Sequence, residues 1–396
     1  MLDLLRTKGM KLTLLLGFLS LMACGQMVQV GAEQVNRYLP LLYKQKVAVV
    51  ANPTSVIDGT HLVDSLLGMN VEVVKVFALE HGFRGKADAG EKVMDDRDEK
   101  TGLPIVSLYG SHRTPTAADL SDVDIVLFDV QDVGARFYTY ISSMTYIMGA
   151  CAENDVAMIV LDRPNPNGHY FDGPMNHLDK PSFIGLHDIP VVHGLTIGEY
   201  AQMVKGEGWM NTNKDLDLTV VPCANYDHNT RYTLPVDPSP NLRSMEAIYL
   251  YPSLCFFEGT NVSIGRGTDM PFEVVGAPWM TQGRTTFTPK SGFGAASPRF
   301  QNIECRGYNI AQFGAEFLGD RDEINLFWLL DAYSQCPDKD SFFERPDFFD
   351  TLAGGPQLRE QIMAGKSEEE IRRAWRPELQ AFGVLRAKYL LYPDFD

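Results

Sequence analysis

The chain has 396 residues, 45% of them hydrophobic, and its 51 Asp+Glu outnumber 35 Lys+Arg to leave a net charge of -16. That much apolar material supports one large or two ordinary domains and excludes a disordered chain. The acidic balance argues against a nucleic-acid partner and against adhesion to anionic membrane surfaces, so any anionic ligand has to be held by local arginines.

In chain order the first element is a targeting segment. Met10 and Lys11 precede the apolar run "LTLLLGFLSLMA" at residues 12–23, which is shorter than the ~18 residues of a spanning helix and has the layout of a secretory signal. The run closes on "LMAC", residues 21–24, which resembles a bacterial lipobox with Cys24 as the residue that receives the lipid. The expectation is a signal peptide over 1–23, a lipid-anchored tether over 24–37, and an exported lipoprotein of the periplasm or outer membrane. Plain signal cleavage nearby is the alternative. The other cysteines, Cys151, Cys223, Cys255, Cys305 and Cys336, are odd in number and lack CxxC spacing. Single buried thiols are therefore expected, not a disulfide framework or a zinc site.

From residue 38 onward short apolar runs alternate with helical segments, the pattern of an α/β domain on a mainly parallel sheet. Strands are expected at "KVAVVA" (46–51), "VEVVKVFAL" (71–79), "IVSLYG" (105–110), "VDIVLFDV" (123–130), "VAMIVLD" (156–162) and "DLTVVPC" (217–223). Most are rich in β-branched residues, as strands covered on both faces require. Helices are expected at 61–70, at 139–154 and from Thr196, where "TIGE" offers a capping box with Glu199. Beyond Pro271 the texture changes to irregular β structure over 286–310 and then to helix over 324–334 and 349–391, the last broken or kinked at Pro377. The expected organisation is an α/β catalytic domain over 38–276 and a smaller α+β domain over 277–396.

In open α/β sheets the ligand site lies beyond the carboxyl ends of the strands. There the sequence places Asn52 after the first strand and Glu80, His81 and Arg84 after the second. Asp129, Gln131, Asp132, Arg136 and Tyr138 follow the next long strand, and Asp162, Arg163 and Asn165 follow the one after it. Four successive polar ends suggest a crevice lined for a polar ligand, although Glu80 with Arg84 also reads as a local ion pair. A second cluster, "FFEGTNVSIGRGTD" at 256–269, combines Glu258, Asn261 and Arg266 with glycines that permit positive φ. Neither G-x-G-x-x-G nor a Walker pattern follows a strand, so no nucleotide cofactor is expected. Carboxylates with aromatics are the equipment for cleaving sugars. His81, Asp129, Asp132 and His193 are plausible metal ligands by type but lack HExxH-like spacing, and no metal is assigned. His112, His169, His177, His187 and His228 fall in loop-like stretches and are expected to be solvated.

Eight segments, "ANPTSV", "FALEHGFRGKADAG", "DVQDVGARFYTY", "LDRPNPNG", "IPVVHGLTIGEYA", "DPSPNL", "EGTNVSIGRGTDMPFEVVGAPW" and "DTLAGGPQLREQI", resemble in this order the NamZ family of exo-β-N-acetylmuramidases, over about residues 40–391. The resemblance implies a Rossmann-like N-terminal domain, a smaller C-terminal domain and a cleft between them. It implies cofactor-free release of N-acetylmuramic acid (MurNAc) from non-reducing ends of peptidoglycan-derived glycans such as MurNAc-GlcNAc, with Glu80 of the "EHG" motif as the catalytic residue. "ALEHG" and "DPSPN" depart from the family pattern at Ala78, Leu79 and Asp237, none of which carries the chemistry. On this reading Glu80 protonates the leaving oxygen and Asp132 or Glu258 is the facing carboxylate, unless the substrate acetamido group is the nucleophile. Arg84, Arg136 or Arg266 binds the lactyl carboxylate, and His81 and His193 orient neighbours. Asn52, Asp129, Gln131, Tyr138, Arg163 and Asn261 complete the expected substrate-binding set. A non-catalytic surface lipoprotein that captures muropeptide sugars and a metal-dependent hydrolase are the alternatives.

Overall fold

The fold was obtained as a computed structural model, which describes residues 27–84, 96–316 and 322–395. Cys24, the signal segment and residues 85–90 of the second motif lie outside the described residues. Strand β1 (Lys46–Ala51) shows how the sheet is built. Its alternate residues Val47, Val49 and Ala51 join one buried cluster while Ala48 and Val50 join another, the period of two that a strand with both faces covered must show. The later strands are β2 (Val56–Ile57), β3 (Thr60–His61), β4 (Glu72–Ala78), β5 (Asp96–Arg97), β6 (Pro104–Ser107), β7 (Ile125–Asp129), β8 (Ala157–Leu161) and β9 (Leu218–Val221). Among the described residues they form a seven-stranded sheet in the order β5-β6-β4-β1-β7-β8-β9. All neighbours are parallel except the edge pair β5 and β6. β2 and β3 form a separate two-stranded ribbon.

Parallel neighbours need crossovers, and the helices Leu62–Gly68, Tyr140–Glu153 and Ile197–Gly206 supply them. The first packs on the face of Val47 and Val49, the other two on the face of Ala48 and Val50. Because the chain leaves β1 toward β4 on one side and returns to β7 on the other, the ends of β4, β1, β7 and β8 open onto one edge of the sheet, where doubly wound folds bind ligands. The α/β expectation is met, and the six strand runs sit where their composition put them.

The rest of the chain adds an antiparallel sheet of β10 (Val274–Ala277), β11 (Thr285–Phe287) and β12 (Cys305–Asn309), in the order β10-β12-β11. The helices Phe327–Gln335, Pro346–Ala353, Gln357–Met363 and Glu368–Arg386 follow. Trp328, Phe349 and Phe382 share one buried cluster with Phe128 and Met144 of the central sheet region, so a continuous core ties the two parts together. One expectation is corrected here: the helix Glu368–Arg386 does not break at Pro377 but runs through it. Pro377 is exposed, so the carbonyl left without its N–H partner can be solvated instead of being buried unsatisfied. Among the described residues no helix is long and apolar enough to cross a membrane, and the five described cysteines are buried free thiols.

Candidate active site

The turn after β4 sets the site. Glu80 lies two residues beyond Ala78, and His81 (φ 70°) and Gly82 (φ 78°) both take the left-handed conformation, so that Gly82 N–H donates back to Leu79 O at 3.0 Å. A histidine in that region is disfavoured by roughly 1–2 kcal/mol, which the packing around it has to offset. Register then supplies the partner. Ala78 pairs with Ser107 across β4 and β6, so Tyr109, two residues past its strand as Glu80 is past its own, stands beside the carboxylate and donates to Glu80 Oε1 at 2.8 Å. Burial, and next the nearby Glu80 charge, push the Tyr109 phenol well above its usual range, so it is a donor at neutral pH.

The other carboxylate oxygen is held from β7. Thr139 is the N-cap of the helix Tyr140–Glu153 yet makes no capping bond; its hydroxyl donates to Glu80 Oε2 at 2.9 Å instead. The Glu80 carboxylate is thereby tied to the first residue before a helix N-terminus, the end near which negative charge is favoured. Tyr140 OH donates to the Glu80 carbonyl at 3.3 Å.

Glu80, His81, Tyr138 and Thr139 line a cavity of ≈150 Å³ together with Asn241, Tyr251, Glu258, Arg266 and Leu352. Glu258 comes from the 3-10 turn Cys255–Gly259. Arg266 donates to its Oε1 through Nη2 at 2.5 Å and through Nε at 3.2 Å. Burial by itself would lower the Arg266 pKa, but the Glu258 carboxylate outweighs it and raises the value above the ordinary one. The two carboxylates thus differ in kind: Glu258 has its charge matched by a guanidinium, whereas Glu80 is held by two neutral hydroxyls. Tyr138 separates the site from the sheet, with its OH donating to Pro238 O at 2.6 Å and its ring edge-on to Tyr140 and Tyr251.

Many of the strand-end polar groups point elsewhere. Arg84 does not pair with Glu80; it is bidentate to Asp98, at 2.7 and 2.8 Å, and reaches Asp64 Oδ1 at 3.1 Å. Those bonds hold the Asp98 carboxyl well below the usual carboxylate range against the opposing effect of burial. A depressed folded pKa adds stability above the unfolded value near pH 4, and that stability is lost as pH falls below it. Thermal unfolding followed from about pH 5 to pH 2.5 should therefore fall less steeply in Asp98→Asn than in the wild type; identical slopes would remove Asp98 from this role.

Asp129 and Arg163 form a fully buried bidentate pair at 2.6 and 2.9 Å. Asn52 Oδ1 accepts the backbone N–H of Thr54 at 2.9 Å, and the Ser55 hydroxyl donates to Asp129 O, so the "ANPTSV" segment braces the end of β7. Gln131 Nε2 donates to Asp132 O and Pro164 O, each at 2.7 Å. Asp132 Oδ2 accepts Gly134 N–H at 2.6 Å and faces His193 Nε2 at 3.4 Å, both side chains being buried outside the cavity lining. Asn261 lies near Ser341, at 3.5 Å. Arg136 is buried and donates to Pro174 O, Ile189 O and Leu352 O at 2.8, 2.7 and 2.8 Å. The last acceptor ends the helix Pro346–Ala353, whose cap Gly354 has φ 82° and sits where a Cβ would come within 2.9 Å of Arg136 Nη2. This explains the first glycine of the pair in "DTLAGG".

Two histidines expected in solvent are buried. His169 is 3% exposed and His228 1%, the latter because its Nδ1 and Nε2 face Gly168 O at 2.8 Å and Glu199 Oε1 at 3.0 Å. Among the described residues no three His, Cys, Asp or Glu side chains are grouped to hold a metal ion. Tyr109 and Thr139 were missed from sequence. Thr139 opens an expected helix with nothing to mark it as a ligand of Glu80, and Tyr109 falls inside the expected strand 105–110, which in the structure ends at Ser107.

Comparison with known proteins extends these observations to the whole chain. The family model "Exo-beta-N-acetylmuramidase NamZ, N-terminal" matches residues 47–246 and its C-terminal counterpart residues 249–392, meeting inside the helix Met245–Leu254. The peptidoglycan beta-N-acetylmuramidase NamZ of Bacillus subtilis (strain 168) is 37% identical over 388 residues, 92% of this chain and 91% of that one. Two crystal structures of DUF1343 family proteins from Bacteroides fragilis are also similar. One has 46% identity and a TM-score of 0.86 over 93% of this chain and 99% of that one; the other has 29% identity and a TM-score of 0.80 over 92% and 99%. With Glu80 inside the first matched span and Glu258 inside the second, the cavity they share is where the two halves of the match meet, and the chain belongs to the exo-β-N-acetylmuramidase NamZ family.

Proposed function

We propose that the protein hydrolyses the β-1,4 bond that joins a non-reducing terminal MurNAc to the next sugar of a peptidoglycan fragment. The observation that carries this reading is the pair Glu80 and Glu258 in one cavity, in a chain of this family. A cavity of ≈150 Å³ suits one terminal sugar better than the middle of a chain. Glu80, held among the described residues by two neutral hydroxyls, is the group assigned to give and take a proton, and it serves as the acid toward the leaving oxygen. Glu258, already paired, stays as the fixed negative charge that stabilises the oxocarbenium-like transition state or orients the acetamido group. Of the arginines weighed for the lactyl carboxylate, Arg266 is the one in the cavity lining; Glu258 takes its Nε and Nη2, which leaves Nη1 for that anion.

Incubation with MurNAc-GlcNAc and detection of free MurNAc tests the reading. Tight binding with no release would support a sugar-capturing lipoprotein instead, and activity lost to a chelator and restored by a divalent cation would support metal chemistry. Thr139→Val should lower turnover about tenfold, the worth of one hydrogen bond to a charged group, with little change in thermal stability because Thr139 does not cap its helix. A full-rate Thr139→Val enzyme would show that this hydroxyl does not position Glu80. The proposal includes export and lipid anchoring at Cys24, supported by the "LMAC" segment. Cys24→Ser should move the protein from the membrane fraction to the soluble one, and an unchanged distribution would count against the anchor.

A further inference from the structure

A chain end bound at Glu80 leaves the remainder of the glycan to be accommodated, and the surface next to Glu80 is not featureless. Tyr109, whose hydroxyl holds Glu80, has its ring 6.3 Å from Phe183. Phe183 in turn lies parallel to Tyr146 at 6.2 Å, with an interplanar angle of 3°, and the Arg113 guanidinium covers the Phe183 face at 4.2 Å. Among the described residues no carboxylate pairs with Arg113, which is exposed. Arg113, Thr114 and Tyr146 line a concavity of ≈510 Å³. Thr114 and Tyr146 also line a second one of ≈770 Å³ that extends to Trp209, so the two are continuous. Both follow the helix Tyr140–Glu153. At about 1.5 Å per residue, Tyr146 is about 9 Å and the helix end about 20 Å along the axis from Tyr140, which itself bonds the Glu80 backbone.

We infer that this groove, lined by Arg113, Thr114, Tyr146 and Trp209, holds the leaving side of the glycan, with Arg113 binding a carboxylate of the next muramoyl unit. The inference rests on the muramidase reading of the Glu80 cavity. Ring faces suit sugar rings in a way that tolerates their hydroxyls. In a protein of net charge -16 an unpaired arginine over a ring is a local anion site, and its fork matches a carboxylate. That carboxylate has two sources: the free lactyl group of a bare muramoyl residue, or the acids of a stem peptide where the lactyl group is amidated.

Calorimetry on the full chain carrying Glu80→Gln, to suppress turnover, tests the groove with MurNAc-GlcNAc, the tetrasaccharide of two such units, and MurNAc followed by three GlcNAc. The tetrasaccharide should bind about tenfold tighter than the chain with the all-GlcNAc tail, the weight of one charge-assisted pair, and Arg113→Ala should bring the two to near equality. Tyr146→Ala should reduce the gain of both long ligands over the disaccharide, whereas the chain with the all-GlcNAc tail should be indifferent to Arg113→Ala. Arg113 dependence with the bare tetrasaccharide assigns the lactyl group; dependence only when stem peptides are attached assigns the peptide acids. Equal affinity for short and long ligands, or a length gain that both substitutions leave intact, overturns the groove. The two readings fail separately. MurNAc release without any length-dependent binding removes the groove and keeps the muramidase, whereas length- and Arg113-dependent binding without release by the wild type keeps the groove and removes the chemistry.

Discussion

Replacing Glu80 by Gln is expected to lower MurNAc release by about 10²–10⁴-fold, the range that a positioned acid or base contributes, while the fold and ligand binding persist. Gln keeps the shape of the side chain and can still accept from Tyr109 OH and donate to Thr139 Oγ1, so the hydroxyl cradle at 2.8 and 2.9 Å survives without a transferable proton. Rates of MurNAc release, calorimetric affinity and thermal midpoints measured on the same preparation separate the effects. Retained turnover would take the acid role away from Glu80; lost affinity with lost turnover would make it a binding group. The same substitution at Glu258 is expected to act by another route. Its partner Arg266 would lose its counter-charge and be freed toward the lactyl carboxylate, so Glu258→Gln should lower turnover without weakening binding.

Replacing Arg136 by Met is expected to destabilise the protein by about 3–5 kcal/mol, the cost of leaving several buried carbonyl acceptors without a donor at about 1–3 kcal/mol each. Burial pushes the Arg136 pKa down to about 9, so the guanidinium is still charged at neutral pH, and its compensation is three carbonyl oxygens, not an anion. Methionine fills much of the volume but leaves those acceptors short of donors in the interior. One of them, Leu352 O, belongs to the C-terminal helix pair, so the loss should loosen the contact between the two halves of the chain and with it the Leu352 side of the cavity. Urea unfolding reads the effect. Unaltered stability together with lost affinity for MurNAc would return Arg136 to the role of a carboxylate ligand.

These two residues show why one was legible and the other was not. Glu80 directly follows the valine-rich run 71–79, and a polar group at the end of a central strand is a site candidate from local pattern alone. Arg136 also follows a central strand, yet its acceptors are 38, 53 and 216 residues away, and no local window contains them. Arg84 is the same case at shorter range. Its sequence neighbour Glu80 looked like its partner, but the return of the chain through β5 and β6 brings Asp98 closer, and a bidentate carboxylate takes precedence. Tyr109 was hidden for the converse reason: a tyrosine after an edge-side strand carries no signal until the Ala78 to Ser107 register places it against Glu80.

The amino-acid order by itself determined the strands, the crossover helices and the edge of the sheet that collects polar groups, because apolar periodicity, caps and strand-end composition act over a few residues. It also sufficed, through eight ordered segments, to indicate the family. Which of the gathered polar groups face a ligand was decided by tertiary structure alone. Buried donors and acceptors must be satisfied within the protein first, so Asp129 with Arg163, Arg84 with Asp98, and Arg136 with its carbonyls were consumed in holding the fold. The cavity was left to Glu80, Glu258, Arg266 and the hydroxyls that only the folded chain brings beside them.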